Sequence, residues 1–238
     1  MGMWRFLKPR NLGFTLGNGR DALIDRLTGR PSRPLQAMAY VKQYATPGDS
    51  QSVLDTLDQF ANEVRWLMSI GPAKNDLIQD LGEQLPSGPR ILELGAYCGY
   101  SSIAMAMLLD RDTQTTSIEV SADCIEASRA NVEVAGLSDR IEFVHGPSTD
   151  VIPTLKGTFD LVFLDHWKDL YKPDLKLLES HGLITSGSVI VADNVGDIFA
   201  PEPYLDYVRN SGKFTTEHRT ATIEYTSIPD AVEISVLK

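Results

Sequence analysis

From residue 90 to residue 194 short apolar runs alternate with amphipathic stretches, and this order constrains the chain more than any other feature. The runs are RILEL at 90–94, TTSIEV at 115–120, RIEFVHG at 140–146, TFDLVFLD at 158–165 and GSVIVADN at 187–194. Between them lie YSSIAMAMLL, SADCIEASRANVEVAG and YKPDLKLLESHG, whose lengths and residue types suit helices. Strands separated by helices pair in parallel, because the crossover consumes the intervening residues, and the sheet is then covered on both faces. A helix near 202–211 and two closing strands, FTTEHRT and roughly 222–236, bring the expected sheet to seven strands. The expected class is therefore α/β, with an open and mostly parallel seven-stranded sheet.

The segment before this pattern divides in two. Residues 1–36 are rich in Gly, Pro and Arg, and carry seven basic side chains against Asp21 and Asp25. That is loop composition, with one short helix expected around 20–28. Residues 1–37 are accordingly read as a partly ordered extension, and 38–238 as the folded domain. Next comes TPGDSQSVLDTLDQFANEVRWLM, where Asp49 or Ser50 can cap a helix and Val53, Leu57, Phe60, Val64 and Leu67 recur at helical spacing. A second helix is expected from Pro72 to Leu85.

Composition excludes several classes. A net charge of −10 repels phosphate backbones, so nucleic acid is not an expected partner. No apolar stretch approaches the ~18 residues of a membrane span. Cys98 and Cys124 are the only cysteines, too few for a disulfide scaffold or a closed thiolate metal site. The expected location is the cytoplasm, with organelle targeting by the basic arm as the alternative.

In open parallel sheets ligands bind beyond the carboxyl ends of the strands. Gly95 and Gly99, in ILELGAYCGYSS, let the chain turn tightly between a strand and a helix. Their spacing is Gly-x-x-x-Gly, and Glu93 before them would repel a diphosphate but welcome an ammonium group. Glu119, at the next strand end, can accept hydrogen bonds from both hydroxyls of a ribose. Each feature alone is equally a plain turn or a wet strand end. Together they fit a nucleoside with a positive, amino-acid-like tail, of which S-adenosylmethionine is the obvious candidate.

A second set of residues lies at two further strand ends. Asp165, Asp193 and Asn194 offer hard oxygen donors from strands that can be neighbours, and such donors suit Mg²⁺ rather than Zn²⁺. Asp193 and Asn194 by themselves could merely start a loop. Lys168, three residues after Asp165, is a candidate general base for a hydroxyl acidified by a metal. His166 and Trp167 either flank an adenine or pack a helix onto the sheet.

The motifs LELGAYCGYS, VFLDHWKD and ADNV, in that order, resemble the catechol O-methyltransferase family, and so does YVKQYATPGDSQSVLDTLDQF. The likeness covers roughly residues 38–238. It implies a Rossmann-like class I methyltransferase fold, S-adenosylmethionine and Mg²⁺ as cofactors, and a small-molecule catechol as acceptor. By the same resemblance Asp165, Asp193 and Asn194 are the magnesium ligands, and Lys168 is the catalytic base. Glu224, in ATIEYTS, is the carboxylate that binds the hydroxyl not being methylated. Glu119, with Val120 after it, holds the ribose; Glu93, Gly95, Tyr97 and Ser101 form the glycine-turn contacts. Ser148, His166 and Trp167 surround the adenine. Met68 and Ile70 line the cofactor methionine, which Asp165 also contacts. Trp66, Lys168, Asn194 and Glu224 meet the acceptor.

The chain departs from the family pattern at Pro72, at Thr149 and in VGDIFAPEPYLDY, which has no clear counterpart to a second gating proline. These departures bear on acceptor size and on which hydroxyl is methylated. The expected assembly is a monomer or weak dimer. The rival readings are another metal-dependent O-methyltransferase, acting on caffeoyl-type or other vicinal diols, and a non-catalytic binding protein of the same fold.

Overall fold

A computed structural model describes residues 29–238. The helix expected over 20–28 lies outside them. The five central runs form β1 (Arg90–Leu94), β2 (Gln114–Glu119), β3 (Ile141–His145), β4 (Leu161–Leu164) and β5 (Val189–Ala192). With β6 (Phe214–Thr222) and β7 (Pro229–Leu237) they make one seven-stranded sheet in the order β3-β2-β1-β4-β5-β7-β6. All neighbouring pairs up to β5 are parallel, and β7 runs antiparallel to both β5 and β6. The fold is the expected α/β, Rossmann-like methyltransferase architecture.

The helices are α1 (Arg33–Tyr44), α2 (Ser50–Gln59), α3 (Asn75–Gly82), α4 (Tyr100–Leu108), α5 (Ala122–Val134), the short α6 (Ser148–Val151), α7 (Tyr171–Ser180) and α8 (Glu202–Asn210). The two-residue period of the strands sorts their side chains between two apolar layers. Ile91, Leu161, Phe163, Val189 and Val191 pack with Leu57, Ile78 and Ile103 on one face. Leu92, Leu94, Val162, Leu164 and Ile190 pack with Leu175, Leu178 and Val208 on the other. Strands buried on both faces read as continuous apolar runs, as β4 and β5 do. Among the described residues no helix is long and apolar enough to cross a membrane.

Four boundaries differ from the sequence reading, each for a local reason. The stretch RPLQAMAYVKQY is helical although its proline suggests a loop, because Pro34 falls in the first turn, where no backbone donor is needed. Helix α1 thus runs across position 37, burying Ala37 and Val41 against the core. Helix α2 stops at Gln59 and gives way to a wide turn, Phe60–Val64, in which the Arg65 N–H donates to the Phe60 carbonyl at 2.8 Å. Val64 consequently faces solvent and only Leu67 returns to the core.

The helix expected over 72–85 splits into a tight turn, Pro72–Lys74, and α3, which ends at Gly82. The last strand begins at Pro229 rather than 222. Residues 223–228 instead close on themselves through an Ile223 N–H to Ile228 carbonyl bond of 2.9 Å, with Tyr225 in the left-handed region at φ 57°.

Candidate active site

Strands β1 and β4 are adjacent, so the sequence-distant turns after them meet at the point where strand order reverses. Gly95, at φ 104°, allows that meeting: a Cβ there would lie 2.7 Å from the Asp165 carbonyl oxygen. The close approach that needs glycine is thus made by the protein's own backbone. Across the turn Glu119 accepts N–H bonds from Ala96 and Tyr97, both 3.2 Å, and from Ser121 at 2.8 Å.

These turns wall a cavity of about 480 Å³. Nine of the residues expected at the cofactor line it, Met68, Gly95, Tyr97, Glu119, Val120, Ser148, Asp165, His166 and Trp167, together with Trp66, expected at the acceptor. Trp167 is 65% exposed at the rim, which removes the alternative that it packs a helix onto the sheet.

Three expected cofactor residues sit elsewhere. Glu93 is wholly buried beneath the turn, and its carboxylate takes hydroxyl bonds from Ser101, Ser102 and Ser117. Burial pushes its pKa up, against the pull of those three hydroxyls. The Glu93 carboxylate and Ser101 brace the turn from below, and neither lines the cavity. Ile70 is buried in the apolar layer beside Lys74.

A buried network backs the cavity wall formed by Ser148 and His166. Ser148 Oγ and His166 Nε2 both reach Asp174 Oδ2, at 2.6 and 2.7 Å, and Asp174 is fully buried on α7. Burial holds the His166 pKa below its ordinary value, with Asp174 pulling the other way.

Lys168 draws together two of the three expected oxygen donors. Lys168 Nζ lies 3.4 Å from Asp165 Oδ1, 3.0 Å from Asn194 Oδ1 and 2.6 Å from the Tyr171 hydroxyl. Tyr171 in turn donates to the Asp193 carbonyl at 3.0 Å. Burial raises the Asp165 pKa to about 7, with the neighbouring Lys168 opposing the rise. Asp193 is bound on both oxygens by Lys74 Nζ, at 2.6 and 2.7 Å. Burial disfavours charge on Lys74 most strongly, yet Asp193, Asp230 and Asp165 together raise its pKa above the ordinary value.

Among the described residues no group of three His, Cys, Asp or Glu side chains is placed to hold a metal. One of the three donors expected here, however, is an amide. The Lys168 ammonium supplies the positive observation: it stands between the Asp165 and Asn194 oxygens as a cation would. Two hard oxygens gathered around a positive charge are of the kind that suits Mg²⁺, while both oxygens of the third donor, Asp193, are taken by Lys74.

Glu224 is buried in the turn between β6 and β7. The Trp66 indole N–H donates to its carbonyl at 3.0 Å. Gly71 passes so close, at φ 57°, that a Cβ there would lie 2.6 Å from Glu224 Oε1. Tyr225 hangs from Asp58, which also accepts the Tyr100 hydroxyl at 3.1 Å.

Sequence reasoning missed Lys74, Asp174 and Asp230. A lone lysine between Ile70 and Ile78, each four residues away on a helical stripe, was the one available signal for Lys74. Asp174 and Asp230 carry none, because their partners are set by packing.

An O-methyltransferase family profile matches residues 45–206. Catechol O-methyltransferase B of Danio rerio is 41% identical over 91% of this chain and 83% of that protein. Catechol O-methyltransferase of Bos taurus is 42% identical over 87% and 77%. A solved O-methyltransferase from Bacillus cereus in complex with SAH superposes with a TM-score of 0.67 at 23% identity, covering 84% of this chain and 96% of that one.

Proposed function

This chain belongs to the catechol O-methyltransferase family, and we propose that it methylates one hydroxyl of a catechol with Lys168, Asn194, Glu224 and Trp66 around the acceptor. The chain is an S-adenosylmethionine-dependent methyltransferase; the bound cofactor supplies an electrophilic methyl group. A Mg²⁺ ion held by Asp165, Asp193 and Asn194 would make the acceptor hydroxyls more acidic and fix the ring.

The observation that carries this reading is the convergence of Lys168 on Asp165 and Asn194. Lys168 takes the proton from the hydroxyl to be methylated. Glu224 accepts a hydrogen bond from the other hydroxyl and so selects the ring's orientation. Trp66, tied to the Glu224 carbonyl, offers a flat wall for the ring. Glu119 holds the ribose hydroxyls while it ties the turn after β1 to β2. His166 and Ser148, braced by Asp174, shape the adenine side, and Trp167 closes its rim. Most of the acceleration comes from holding two reactants nearly in contact, an effect that reaches about 7–11 kcal/mol in well-oriented systems. The protein acts on a small molecule in the cytoplasm, as a monomer or weak dimer.

The test is methyl transfer from S-adenosylmethionine to catechol, with Mg²⁺ and then with EDTA, for wild type and Lys168→Ala. Turnover that needs the metal and is largely lost in the variant is expected. Turnover indifferent to EDTA overturns the metal assignment, and full activity in Lys168→Ala overturns the base.

A further inference from the structure

We propose that Asp230, on the antiparallel strand β7, is a positioning residue that turns the oxygen of the Asn194 side chain toward the catalytic cleft. The inference rests on the reading of Asn194 as a magnesium ligand.

An asparagine ends in an oxygen and a nitrogen of nearly equal size, and only the oxygen can ligate a hard cation. What surrounds the amide decides which of the two faces the cleft. On the cleft side Asn194 Oδ1 accepts from the Lys168 ammonium at 3.0 Å, a group with no lone pair to offer. On the far side Nδ2 donates to Asp230 Oδ2 at 2.9 Å, a carboxylate that can only accept when ionised. A flipped amide would set N–H against ammonium and oxygen against carboxylate, losing both bonds at once. Lys168 serves the proton transfer, so the standing partner of the amide is Asp230.

Asp230 is itself held in place. It is buried between β5 and the turn that follows it, and its Oδ1 accepts the Gly196 N–H at 3.1 Å. Gly196 lies so close to β7 that a Cβ would sit 2.7 Å from the Asp230 Cα. The Val195 N–H bonds the Ala231 carbonyl at 2.9 Å, which locks the two segments in register. Lys74 Nζ, bound to Asp193, lies 4.0 Å from Asp230 Oδ2. One cation and one carboxylate behind the cleft thus orient its two neighbouring donors: Lys74 holds Asp193, and Asp230 holds Asn194. Outer-shell partners of this kind are worth about 10–100-fold in metal affinity.

The experiment is a double-mutant cycle on the full chain, read by Mn²⁺ binding in an electron paramagnetic resonance titration rather than by activity. Asp230→Asn is expected to weaken Mn²⁺ binding about 10–100-fold when residue 194 is Asn. In an Asn194→Asp background either flip of residue 194 presents an oxygen, so the same change is expected to cost less than about threefold, well under the outer-shell range. Equal losses in both backgrounds would mean that Asp230 acts only through its charge, and the proposal is overturned. A wild-type chain that binds no Mn²⁺ at fixed pH removes the metal reading itself, and the inference with it. A second measurement needs no variant: the Asn194 side-chain amide protons should exchange slowly with solvent in nuclear magnetic resonance spectra. Fast exchange there refutes the Asp230 contact.

Discussion

Gly71→Ala should damage the acceptor site through a single methyl group. The backbone at Gly71 has φ 57° and ψ −175°, a region that essentially only glycine occupies. An alanine there carries about 1–3 kcal/mol of strain. At about 2–4 °C per kcal/mol for a chain of this size, the melting temperature should fall by roughly 2–12 °C. The new Cβ would also lie 2.6 Å from Glu224 Oε1 and closer still to the carbons of that side chain. Carbon contacts settle near 3.5–4.0 Å, so the Glu224 side chain must retreat by about 1.5 Å or more. A displacement of that size is enough to cost about 100-fold in rate. The assay is kcat/KM for catechol, together with thermal melts, for Gly71→Ala in wild-type and Glu224→Ala backgrounds. With Glu224 shortened the methyl group has room, so only the strain should remain and no further activity should be lost. Wild-type kcat/KM in Gly71→Ala, or an equal loss in both backgrounds, would refute the reasoning.

Three further outcomes are expected. Lys74→Met leaves the buried Asp193 carboxylate without its cation and should destabilise the chain by about 3–5 kcal/mol in urea unfolding, with much of the loss recovered in Lys74→Met/Asp193→Asn; a loss below about 1 kcal/mol would contradict the buried pair. His166 has its pKa held below the ordinary 6.5 by burial, so the unfolded chain binds the proton more readily. Its contribution to stability is complete above pH 6.5 and is lost as pH falls from there through the folded pKa. The melting temperature of wild type should therefore fall faster than that of His166→Gln between pH 7.5 and about 5, and parallel curves would dismiss this account. Glu119→Gln replaces one carboxylate oxygen with a donor facing backbone N–H groups, and isothermal titration should show S-adenosylmethionine binding at least about tenfold weaker; unchanged affinity would remove Glu119 from the ribose site.

The sequence by itself determined the sheet and most of the site. Apolar runs such as LVFL and VIVA admit only strands buried on both faces, and strand ends must carry the polar residues that follow them. Asp165, Lys168, Asp193 and Asn194 were legible for that reason, since each lies within four residues of a strand terminus. Gly95 was legible as a turn, but its neighbour at 2.7 Å, the Asp165 carbonyl, emerged only when β1 and β4 were paired. Glu93 shows the limit of local reading. Its charge suggested a ligand contact, while packing surrounded it with three serine hydroxyls from β2 and α4. The partners of Lys74, Asp174 and Asp230 were decided by the tertiary structure alone. Each meets a partner brought to it by chain segments that the sequence does not pair: Lys74 crosses 119 residues to Asp193, and Asp230 crosses 36 to Asn194. Hydrophobic periodicity is a property of neighbours along the chain and survives without a fold. A buried charge pair exists only where the fold has removed water from both members, so no pattern in one segment can announce it.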